Sequence, residues 1–63
     1  MTGREVLADL DGRLARGIEK LRQRVTEAED EGAHVEAERL RGKADGMTVA
    51  RSYVRDMSSM LED

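Results

Sequence analysis

The chain has 63 residues, 38% of them hydrophobic and 40% charged, and eleven Lys and Arg against fourteen Asp and Glu leave a formal charge of −3. There is one aromatic residue and neither proline nor cysteine, which excludes a disulfide framework and a cysteine-based metal centre. No apolar run approaches the ~20 residues of a membrane span, and Thr2, Gly3, Arg4 and Glu5 stand where a signal peptide would carry its apolar stretch, so the expected setting is the cytoplasm, away from membranes.

High charge with few aromatics is also the composition of disordered chains. Here the charges are mixed in sign and the apolar residues recur with a period. The lack of proline suits long helices, since a proline costs roughly 3 kcal/mol inside one. The chain therefore reads as all-α.

Thr2 and Glu5 have the T-x-x-E form of a capping box, which places the start of a first helix at about residue 3. Apolar residues then fall at Leu7, Leu10, Leu14, Ile18, Leu21, Val25 and Ala28, helical spacing with a stutter near Leu14. The helix is expected to reach about residue 30. Glu29, Asp30 and Glu31 suit the negative end of a helix dipole poorly, and Gly32 follows at once, the usual residue just past a helix C-terminus. A turn over about 30–34 follows from this.

The second stripe, Ala33, Ala37, Leu40, Ala44, Met47, Ala50, Val54, Met57 and Leu61, predicts a helix over about 34–61. Its small residues Ala37 and Ala44 let two backbones approach, so this face is expected to meet Leu10, Leu14, Ile18 and Leu21 in an antiparallel hairpin. The segment Glu31-Gly32-Ala33-His34-Val35-Glu36-Ala37 resembles the tight inter-helix turn of tetratricopeptide-type repeats. No second copy follows at that repeat's ~34-residue period, which excludes an array. Gly12, Gly17, Gly42 and Gly46 interrupt the predicted helices, either as tolerated surface residues or as points of close approach by a neighbouring helix.

A lone pair of such helices has a large surface and a thin seam. Val6, Val35, Val49, Tyr53 and Met60 widen the apolar faces beyond what one seam can use. Association is therefore expected, most simply as a homodimer in which two hairpins form a four-helix bundle. The residues expected at the oligomer interface are Leu7, Leu10, Leu14, Ile18, Leu21, Val25, Leu40, Met47, Val54, Met57 and Leu61. Tyr53 is read as a rim residue, and Met47, Met57 and Met60 as core filler.

Catalysis finds little in this sequence. The single histidine, His34, lies in or near the turn, away from Ser52, Ser58 and Ser59, and no glycine-rich phosphate loop is present. His34, Glu38 and Glu31 are too few and too weak as ligands for a metal site, so no cofactor or metal is expected. The charge layout says more. Glu27, Glu29, Asp30, Glu31, Glu36 and Glu38 make an acidic tip at the turn, while Arg13, Arg16, Lys20, Arg22, Arg24, Arg39, Arg41 and Lys43 make a basic band behind it. That band is solvated helix surface with pairs such as Asp9–Arg13, Glu19–Arg22 and Glu36–Arg39, a recognition element for a second copy's acidic tip, or a phosphate-binding strip.

The run Ala37-Glu38-Arg39-Leu40-Arg41-Gly42-Lys43-Ala44-Asp45-Gly46, with Tyr53-Val54-Arg55-Asp56, resembles small uncharacterised helical proteins encoded by bacteriophages of actinobacteria. The resemblance implies an accessory protein, made in the host cytoplasm during infection, that binds a host or phage protein. The leading expectation is thus a non-enzymatic interaction module acting as a homo-oligomeric hairpin. The alternative is a hairpin dimer that binds RNA or DNA through the basic band, against which stands the net negative charge.

Overall fold

The computed structural model describes residues 1–61. It holds two helices, α1 (Gly3–Asp30) and α2 (His34–Met60), packed against each other along their length. Thr2 is extended and its hydroxyl accepts a hydrogen bond from the Glu5 backbone N–H at 3.2 Å, satisfying one of the free donors of the first turn of α1.

The reversal between the helices is local backbone chemistry. Gly32 has φ +75°, the left-handed conformation that glycine adopts without a Cβ penalty. With it in place, the Ala33 N–H reaches the Ala28 carbonyl at 2.8 Å and the Gly32 N–H reaches Glu29 at 3.0 Å. This is a Schellman closure, which satisfies two carbonyls at the end of α1. Ala33 packs on the cluster of Val25, Ala28, Ala37 and Leu40 just above the turn, so the motif also carries its usual apolar contact.

The residues that α1 turns inward are Leu7, Asp11, Leu14, Ile18, Leu21, Val25 and Ala28, and all are buried or half-buried. On α2 they are Ala37, Leu40, Ala44, Met47, Arg51, Val54 and Ser58. Both sets step strictly by three and four, the heptad of a two-stranded coiled coil. This differs from the apolar stripes in an instructive way. Asp11 takes the seam position expected for Leu10, and Arg51 and Ser58 take those expected for Ala50 and Met57, while Leu61 keeps the step at the open end. Leu10, Met57 and Leu61 lie exposed. The stutter near Leu14 disappears once the charged residue is counted.

Packing is uneven along the hairpin. The turn end has the continuous core, with Ala28, Ala37 and Ala44 letting the helices close up. At the open end only Val54 is fully buried, and an Arg4 side chain donates to the Leu61 carbonyl at 3.4 Å. The particle measures 49 × 16 × 11 Å with a radius of gyration of 14.6 Å, against about 11 Å for a compact chain of this length. Its accessible surface is 4834 Å², where a globular monomer of this mass shows about 4,000 Å².

Two substitutions test this packing by urea or thermal unfolding followed by circular dichroism. Leu40→Ala removes a side chain that is 5% exposed at the centre of the turn-end cluster and should cost about 2–5 kcal/mol. A Cβ at Gly42 would meet nothing within 4 Å, so Gly42→Ala should stabilise by about 0.5–1 kcal/mol.

Candidate functional site

The two long sides of the hairpin differ in chemistry. On one side an ion-pair network crosses the seam. Asp11 takes a two-pronged contact from Arg51, with Nε at 2.7 Å and Nη2 at 3.2 Å, and Arg55 stands 3.6 Å away. Nearer the turn, Arg41 bridges Glu29 of α1 and Glu38 of its own helix. Between these pairs the surface is lined by Glu19, Arg22, Thr26, Asp45, Thr48 and Ser52. Ala15, Ile18, Val25 and Ala44 lie between these polar side chains.

Arg51 is the main cause of a lowered Asp11 pKa, through its hydrogen bonds first and its charge second, with Arg55 adding to it. The pair is half-buried in the seam. Periodicity in apolar residues alone does not reveal it, since neither residue is apolar. The signal that finds it is the heptad itself, which regains its regular step when Asp11 and Arg51 are counted.

The opposite side is apolar and cationic. Val6, Leu10, Arg13, Gly17, Lys20 and Arg24 recur every three or four residues, as do Lys43, Gly46, Ala50, Tyr53, Met57 and Met60, so each set forms one row beside the seam. The two rows border the same groove of about 780 Å³, which Gly17, Lys20, Leu21, Arg24, Lys43, Gly46, Met47 and Ala50 line together with Gln23 and Glu27. Towards the open end the rows continue in exposed apolar side chains, Val6 (49% accessible), Leu10 (42%), Tyr53 (65%) and Met57 (54%).

The expected interface residues thus fall into three groups. Ile18, Val25, Leu40 and Val54 are buried between α1 and α2. Leu7, Leu14, Leu21 and Met47 are half-buried beside them. Leu10, Met57 and Leu61 face outward.

The basic band is divided in the same way. Lys20, Arg24 and Lys43 rim the groove, whereas Arg22 and Arg41 lie on the polar side. Arg13 pairs with Asp9 at 3.0 Å and Arg39 with Glu36 at 2.8 Å. Arg39 is the largest cause of a lowered Glu36 pKa, with Lys43 and Arg24 contributing through their charge. Among the described residues Arg16, Lys20, Arg22, Arg24 and Lys43 have no carboxylate within ion-pair distance, and Glu19 makes no pair with Arg22. His34 is the exposed first residue of α2. Among the described residues no three His, Asp or Glu side chains group to hold a metal ion, and no helix is long and apolar enough to cross a membrane.

The Asp11–Arg51 pair gives a pH signature. A carboxylate whose folded pKa lies below its ordinary value of 3.8 contributes stability above that value and loses it as pH falls through the folded pKa. Asp11→Asn should therefore lower the unfolding midpoint near neutral pH, and the gap from the parent chain should close in acid, below 3.8. Melts across the pH series read this directly; an undiminished gap at about pH 2 would assign Asp11 a role other than its charge.

Comparison with protein-family models, with curated proteins and with solved structures finds no match for this chain.

Proposed function

We propose that the chain is a non-enzymatic interaction module, a helical hairpin that self-associates through the apolar side of its open end and presents its remaining surface to another protein. The observation that carries this reading is the placement of Val6, Leu10, Tyr53 and Met57, exposed and on one side, at the end where the internal seam is least filled. Two hairpins meeting there complete a four-helix arrangement.

The likeness of the second helix to small phage-encoded helical proteins fits an accessory role of this kind and adds no residue to it. A nucleic-acid-binding role draws less support. Its band of cations is split between two sides, and three of its members are neutralised by Asp9, Glu29, Glu36 and Glu38.

Sedimentation equilibrium at micromolar concentration should return twice the chain mass of 7.0 kDa. Leu10→Glu with Met57→Glu should shift the mass to that of one chain, while Val35→Glu, at a position 86% exposed beside the turn, should leave it unchanged. A single-chain mass with full helicity for the parent protein would overturn self-association. A mobility shift with RNA or DNA that weakens steeply with salt would favour the phosphate-binding role instead.

A further inference from the structure

We infer that the groove between Gly17 and Arg24 on α1 and between Lys43 and Ala50 on α2 is a docking site for an acidic amphipathic helix of a partner protein. The inference rests on the interaction-module reading and names the partner's chemistry. Three features of the groove select this occupant.

The first is its floor. Leu21, Met47 and Ala50 give it an apolar base, and the two glycines keep its walls low. A Cβ on Gly46 would meet nothing within 4 Å, and the Met47 methyl sits 2.5 Å from where a Cβ on Gly17 would be. That thioether is a flexible filler, able to re-pack around an incoming side chain.

The second is its rim. Lys20 and Arg24 stand one turn apart on α1, with Lys43 on the facing wall. Elsewhere on the hairpin Arg13, Arg39, Arg41, Arg51 and Arg55 lie beside carboxylates of the chain itself. Glu27 also lines the groove and Glu36 feels Arg24 and Lys43, yet the rim keeps three cations to one carboxylate. Such a rim complements carboxylates and rejects cations.

The third is its length. From Gly17 to Arg24 on α1 and from Lys43 to Ala50 on α2 both walls run for about 10 Å at 1.5 Å per residue, two turns of a docked helix with apolar anchors at i, i+3 or i+4, and i+7. A phosphodiester backbone would leave the apolar floor uncovered, and the groove offers no aromatic ring for base stacking. The groove lies nearer the turn than Val6, Leu10, Tyr53 and Met57, so occupancy by a partner helix is compatible with self-association at the open end.

The test uses the full chain and a dye-labelled probe peptide of about 14 residues, with leucine at the anchor positions and glutamate on both flanks. A control peptide carries lysine in place of each glutamate. Fluorescence anisotropy should show binding of the glutamate peptide, weakening as salt rises, and none of the lysine peptide. The double reversal Lys20→Glu with Lys43→Glu should weaken the glutamate peptide about tenfold or more and admit the lysine peptide. Circular dichroism and sedimentation of the same variant separate this result from loss of fold or of self-association.

Binding of the glutamate peptide weaker than about 1 mM, equal binding of both peptides, or tighter binding of oleate or an RNA oligonucleotide by the parent chain would overturn the proposal.

Discussion

Two helices side by side share one seam, and everything else on them is surface. That constraint governs the molecule. A coiled-coil seam uses two positions in seven, so most side chains of α1 and α2 never meet the other helix. The chain meets this limit at the turn with alanine, which brings the backbones together and lets Val25 and Leu40 fill the space. It does not repeat the device at the open end. The apolar surface there stays outside, and the long dimension of 49 Å comes without the burial that a compact fold of the same length would gain.

Asp11 and Arg51 explain where that surface comes from. A half-buried ion pair adds little net stability over apolar packing of the same size, because each charge gives up water to reach the other. Its stronger effect is on register: sliding one helix past the other by a turn would strand a carboxylate or a guanidinium in the seam. Placing charge at these two positions also moves apolar residues off it. Leu10 follows onto the flank of α1, and Ala50 and Met57 onto the same flank of α2. One choice of seam residues thus fixes the register inside the hairpin and furnishes the apolar side outside it.

Much of the architecture is legible from the residues in order. Helical periodicity, the absence of proline and Gly32 after the acidic run suffice for an all-helical chain that folds back once. The identity of the seam is harder to read, because a hydrophobic stripe traces what is greasy rather than what is central. The irregular step at Leu14 was the visible trace of that difference, and Asp11 restores the rhythm. The charge map had a related limit. Sequence level along a hairpin shows that Lys20, Arg22, Arg41 and Lys43 come near one another in height. It does not show on which side of the seam each stands, and that depends on the seam already being known. The groove, which needs both height and side, is visible only in three dimensions.

Height and side together also partition the apolar side. Were two copies to meet over the groove, Lys20, Arg24 and Lys43 of one would come against the same cations of the other, and like charges opposed at a contact raise its energy. No such penalty applies at the open end, where Val6, Leu10, Tyr53 and Met57 are uncharged and Arg13, the cation between Leu10 and Gly17, is held by Asp9. The distribution of charge is therefore compatible with both proposed contacts, a like partner at one end of this side and an acidic one in its middle. One face divided in this manner has room for two different contacts on a single hairpin.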